Sequence, residues 1–128
     1  MREILFRGKG IRGNWHIGLL AHVGNTWYIS NKVGIATAYE VIPETIGQYT
    51  GLTDKNGKKI FEGDIVKCIS SFDAKDMVVI FEAAEFHLVD CQRYKNYTEC
   101  CGYRYFGTLE TEVIGNIHDN PELAEGLL

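Results

Sequence analysis

Along most of this chain apolar and polar residues alternate with a period of two, the repeat of a strand with one buried face. Residues 4–7 open as a short strand that stops at Gly8, and a loop spaced by Gly8, Gly10 and Gly13 follows. Residues 15–23 read as a longer strand. Gly24-Asn25 then supplies a two-residue turn in which Gly takes the positive φ of a type II′ hairpin, and residues 26–30 return. The alternating set Trp15, Ile17, Leu19 with Trp27 and Ile29 reads as one apolar face of this hairpin. His16 and His22 fall on the opposite, exposed face.

The next loop covers residues 31–34, and residues 39–42 form another short strand. Pro43 sits where a first helical residue would, so residues 43–46 predict one helical turn. Asn56-Gly57 is the strongest turn signal, because a type I′ turn needs positive φ at both positions. It joins strands at 49–53 and 58–61, and Gly63-Asp64 makes a second turn. Strands at 65–69, 77–82 and 85–90 follow, the last two joined tightly at Ala83-Ala84. A late strand at 109–117 precedes a short helix near 120–125, capped by Asn120 and begun by Pro121-Glu122. Short strands at this spacing predict a mostly β protein. The expected architecture is a small SH3-like barrel at 49–128 packed with an N-terminal β-hairpin subdomain at 1–48, in one compact unit.

Composition narrows the function classes. The chain has 128 residues, 45% of them hydrophobic, enough to bury roughly two thirds of its unfolded surface without a disulfide or metal. Net charge is −4, which disfavours a duplex DNA binder. Residues 1–48 carry five basic and three acidic side chains, and residues 49–128 carry eight and fourteen. The polarity is either a solvated surface or a means of aligning subunits head to tail. Cys68 and Cys91 lie in apolar runs and read as small core residues. Cys100 and Cys101 are adjacent, so on a strand they face opposite ways. No zinc spacing occurs, and no cofactor or metal is expected. The N-terminal residues show no signal peptide and no span is apolar enough for a membrane, so reduced thiols in a cytoplasm are the simplest reading.

Three blocks together resemble the YopX protein family of bacteriophages and prophages. The first is Met1-Arg-Glu-Ile-Leu-Phe-Arg-Gly-Lys9 with Gly13-Asn14-Trp15 and Gly18. The second is Val41-Ile-Pro-Glu-Thr-Ile-Gly-Gln-Tyr-Thr-Gly-Leu-Thr-Asp-Lys-Asn-Gly-Lys-Lys-Ile-Phe-Glu-Gly-Asp-Ile-Val66. The third is Glu112-Val-Ile-Gly-Asn-Ile-His-Asp-Asn-Pro-Glu-Leu123. The resemblance implies a phage or prophage protein of the bacterial cytoplasm, an SH3-like barrel and homo-oligomers, and it implies no activity. The chain departs from the pattern at Ala83-Ala84, where a Gly is usual, and residues 92–107 match nothing in the family. Within the shared blocks, Tyr49 and Leu52 read as core. Asp54 and Asp64 read as turn carboxylates that accept backbone N–H bonds, rather than as a metal or catalytic pair.

One segment looks like a contact surface. Residues 92–107 hold Tyr94, Tyr97, Tyr103, Tyr105 and Phe106 among Arg93, Lys95 and Arg104, with a single acid, Glu99. Such a run can grip a protein, stack single-stranded bases, or pack its rings over a core with cationic stems alongside. His16, His22, His87 and His118 stand in no catalytic motif. The expectation is a non-enzymatic, self-associating module that binds a host or phage protein. A single-stranded nucleic-acid binder acting through residues 92–107 is the alternative, and a small enzyme comes third.

Overall fold

The computed structural model describes residues 4–30, 38–69, 74–82, 85–91, 103–104 and 110–124. By its internal contacts the chain divides into two units, Met1–Gly51 and Leu52–Leu128. The described residues are mostly strand, with two single 3-10 turns and no closed barrel, so an SH3-like closure is not seen among them. None of their helices is long and apolar enough to cross a membrane.

The first unit contains β1 (Phe6–Lys9), β2 (Trp15–Val23), β3 (Thr26–Ser30) and β4 (Tyr39–Val41). A 3-10 turn at Pro43–Thr45 and β5 (Gly47–Thr53), which runs on past the unit boundary, complete it. All pairings are antiparallel, in the order β4-β3-β2-β1-β5. The hairpin forms as its turn requires, with Gly24 at φ +62. That turn also decides which side chains share a face. Two turn residues pair Val23 with Thr26, and therefore Leu20 with Ile29 and His22 with Trp27. The set Trp15, Ile17, Leu19 is thus on the face opposite Trp27 and Ile29, not with them. The expected apolar face is split by register, and a slip of one residue exchanges faces.

Ile29 and Val41 are buried because the sheet curls. The Ile42 N–H donates to Lys9 O at 2.8 Å, and Gly10 bridges to Val41. Thr45 clasps the join: its hydroxyl accepts the Lys9 N–H at 2.8 Å and donates to Ile42 O at 2.6 Å. The curl leaves no room for a side chain at Gly8, where a Cβ would sit 2.8 Å from Val41 Cβ. For that reason Gly8 continues β1 to Lys9 and does not end it at residue 7.

The second unit contains β6 (Lys59–Phe61), β7 (Asp64–Ile69), β8 (Ala74–Glu82), β9 (Glu85–Asp90), β10 (Tyr103–Arg104) and β11 (Glu110–Asn116). A 3-10 turn follows at Pro121–Ala124. Five of these strands form an antiparallel sheet in the order β10-β9-β8-β7-β11. The sheet is buried on both faces at its centre, so its strands read as nearly continuous apolar runs. Ile60, Val66, Cys68, Met77, Val79 and Leu88 form one cluster. Ile65, Val78, Cys91 and Ala124 form the other. β11 returns to pair with β7, with a register shift between Val113 and Gly115. The Ala83-Ala84 connection lies outside the described residues.

Candidate functional site

The concave end of the first unit holds a cleft of about 420 Å³. It forms where the β1–β2 turn faces β4. The turn is tied by the Gly10 N–H to Asn14 O at 2.7 Å and the Gly13 N–H to Gly10 O at 2.9 Å. His16 and Tyr39 stack on one another to form one wall of the cleft, with centroids 4.2 Å apart and planes 5° apart. Gly10 keeps this wall flat, since a Cβ there would lie 2.9 Å from His16 Nε2. Arg12, Asn14 and Glu40 complete the rim. A second stacked pair, His22 on Trp27, has centroids 3.9 Å apart. Both histidines therefore lie against aromatic rings, where exposure alone was expected.

The opposite face of β2 is apolar and open. Ile17 and Leu19 are each 45% exposed and Val23 is 67% exposed, with exposed Ala21 between Leu19 and Val23. At its start this face carries Arg7, whose guanidinium lies 4.8 Å from the centre of the Trp15 ring, a cation–π contact. A row of exposed apolar side chains is the informative observation on a soluble sheet, where single exposed ones need no account.

In the second unit the carboxylates serve the backbone. Asp54 Oδ1 accepts the Asn56 and Lys58 N–H groups, both at 2.9 Å. Its Oδ2 accepts the Val113 N–H at 3.0 Å. Burial alone would raise this carboxyl. The N–H donors of Val113, Lys58 and Asn56, with the Lys58 charge, outweigh burial and hold it below its ordinary value of 3.8. Asp64, deeply buried, accepts the Phe61 N–H at 2.8 Å. Burial, and then the nearby Asp76, push the Cys68 thiol up to about 11. Burial with Asp76 and Asp90 takes Cys91 to about 12. Both thiols stay protonated and poorly nucleophilic at neutral pH. Among the described residues no three His, Cys, Asp or Glu side chains gather as a metal site.

Of the contact segment anticipated at residues 92–107, only Tyr103 and Arg104 are described. They pair as β10 with Leu88 and His87 of β9. Arg93, Tyr94, Lys95, Tyr97, Tyr105 and Phe106 lie outside the described residues, as do Cys100 and Cys101. His87 Nε2 stands 3.7 Å from Glu85 Oε2, an ion-pair distance for a protonated imidazole but too long for a hydrogen bond. Gly57 has φ +81 and Gly63 has φ +91, whereas Asp64, expected in the second turn, opens β7. The Asn56 N–H is held by Asp54. The cleft and the open β2 face had no motif to announce them. Counting pairs outward from Gly24-Asn25 was the available signal for the face.

The YopX protein family matches residues 20–125, starting beyond the first of the three blocks. Protein EF1440 from Enterococcus faecalis has a crystal structure similar to this one over 98% of this chain and 100% of that chain. The TM-score is 0.53 at 22% identity, a likeness of fold. No curated protein matches. From the second half of β2 through the Asp54 turn to the returning β11, the match covers most of the chain, which belongs to the YopX protein family.

Proposed function

We propose that this chain is a non-enzymatic protein-binding module of the bacterial cytoplasm, encoded by a phage or prophage, that self-associates and docks a host or phage protein. The observation that carries the reading is the open apolar row Ile17, Leu19, Ala21, Val23 on one face of β2. Water-facing apolar rows of this kind are stabilised when a protein partner covers them. The acidic balance of the chain, −4 overall, supports a protein partner over nucleic acid.

The test is affinity capture of the tagged protein from cells carrying the phage, after nuclease treatment, with Ile17→Glu/Leu19→Glu alongside. Both side chains are half-exposed, so the variant is expected to keep the fold, which its circular dichroism spectrum and unfolding midpoint check. A partner protein retained by the unsubstituted chain and lost by the variant supports the reading. Equal capture by both, or recovery that vanishes with nuclease, overturns it.

A further inference from the structure

We propose that Asn56 is a self-modification site, where the chain's own backbone converts the side-chain amide to aspartate and isoaspartate, and that the Asp54 turn sets the rate. Of the asparagines in the chain, Asn56 alone is followed by glycine. The reaction needs that neighbour. A backbone nitrogen must reach the side-chain carbon of the asparagine before it, and a Cβ on the attacking residue crowds the approach. At Gly57 a Cβ would meet nothing within 4 Å, so the outer side of the turn is open. Asn56 is exposed, and among the described residues no hydrogen bond holds its side-chain amide.

In the first step the Gly57 nitrogen gives its proton to hydroxide and bonds to Asn56 Cγ. The Cγ–Nδ2 bond breaks, and Nδ2 takes a proton from water and leaves as ammonia, regenerating the hydroxide. The product is a cyclic succinimide, which water then opens. Breaking the bond from Gly57 N to Cγ leaves aspartate in the ordinary backbone. Breaking the bond from Gly57 N to the main-chain carbonyl carbon of residue 56 leaves isoaspartate, whose main chain runs through Cγ and is longer by a carbon. In sum a water enters and an ammonia leaves, and nothing is oxidised or reduced.

The folded turn opposes the first step. Lys55, Asn56 and Gly57 form a loop closed by the Asp54 N–H, which donates to Lys58 O at 2.8 Å. Inside it the nitrogen that has to attack is already a donor, to Asp54 O at 3.0 Å. The N–H groups on either side, of Asn56 and Lys58, both donate to Asp54 Oδ1 at 2.9 Å. Consecutive amides are thus held by one residue, and Gly57 neither gives up its proton nor swings towards Cγ until the turn opens. The rate therefore follows the population of the opened turn. The products differ in what they disturb. Isoaspartate lengthens the main chain between two N–H groups gripped by the same oxygen, so Lys58 is drawn off Asp54 Oδ1. The other oxygen of that carboxylate holds the Val113 N–H, and the Lys55 N–H donates to Thr111 O at 2.9 Å. The longer chain thereby loosens the seating of β11, whereas aspartate at position 56 keeps all of these bonds.

The experiment incubates the full chain in mildly alkaline buffer, folded and in guanidinium chloride. Asn56 is followed by mass spectrometry of its peptide and by isoaspartyl methyltransferase labelling. The folded chain is expected to react at least about tenfold more slowly than the denatured one. Asp54→Asn, whose side chain offers a neutral acceptor in place of a charged one, is expected to raise the folded rate about fivefold and leave the denatured rate unchanged. Should that variant fail to fold, the two states of the unsubstituted chain still decide. Asn56→Asp is expected to keep the unfolding midpoint of the unsubstituted chain, and the isoaspartate fraction to unfold at lower denaturant. Equal rates in the two states overturn the inference, as does a folded Asp54→Asn protein that reacts no faster. So does another asparagine that reacts ahead of Asn56 in denaturant, or an isoaspartate fraction as stable as the unmodified chain.

Discussion

Among the described residues of the first unit the buried apolar side chains are few, Ile29, Val41 and Tyr49 chief among them. Space is made by removing side chains, as at Gly8, and the edge is held by the Thr45 clasp and the Lys9–Ile42 hydrogen bond. In the second unit burial is dense. Ile60, Ile65, Val66, Val78, Val79, Leu88 and Val89 are essentially inaccessible, and two buried carboxylates hold the turns around them. The difference teaches that one chain uses two kinds of order. The first unit depends on close backbone approach and leaves an apolar face open. The second covers both faces of its sheet and depends on packing volume.

Substitutions should separate these two kinds of order. The largest effect is expected from Ile60→Ala, which leaves a cavity in a fully buried cluster and should cost about 4 kcal/mol in denaturant unfolding. Asp54→Ala comes next. It strands three backbone donors that a carboxylate now satisfies, at a cost of about 3 kcal/mol. Asp54 also gives the second unit an acid dependence. Its folded pKa is depressed, so its contribution is present above the ordinary value of 3.8 and is lost as pH falls below that through the folded pKa. Unfolding midpoints measured below about pH 4 should fall more steeply in the unsubstituted protein than in Asp54→Asn.

Gly8→Ala breaks the first unit by the opposite route, overfilling in place of emptying. The added methyl meets Val41 at 2.8 Å and should cost about 2 kcal/mol. A companion Val41→Gly, which removes the Cβ that the methyl meets, should recover part of that loss, which a double-mutant comparison would read. The smallest effect is expected at Ile17→Ser, within about 0.5 kcal/mol of the unsubstituted protein. A large loss there would mean that the row is a hidden core, and the contrast between the units would fail.

The turns were legible in the sequence because their requirement is local. Gly24 and Gly57 need a backbone conformation that other residues adopt poorly, and no distant contact changes that. The double-sided sheet of the second unit was legible as apolar runs such as Met77-Val-Val-Ile80, although its boundaries moved by a few residues. The faces of β2 were not legible from alternation alone. Both Ile17 and Leu20 lie in an alternating pattern, and only pairing across the turn decides which side meets Ile29. The His16–Tyr39 wall was hidden for a similar reason. It depends on a bridge between Gly10 and Val41, thirty-one positions apart, and nothing in either neighbourhood marks it. Asp54 was readable as a turn carboxylate, but its second oxygen reaches Val113, and that contact has no local signature.

That reach has a consequence for how the chain is made. The bond from Val113 to Asp54 spans 59 positions, and β11 is the strand that covers the free side of β7. During synthesis β7, β8 and β9 emerge early and can form their meander, since their partners are neighbours. One edge of that sheet and one oxygen of Asp54 wait until residues 110–116 leave the ribosome. A nascent chain stalled before that point would display the open β11-side edge of a strongly apolar β7 and be exposed to misassembly. The pairing of β11 is therefore also the step that closes the exposed edge of β7 in the newly made chain.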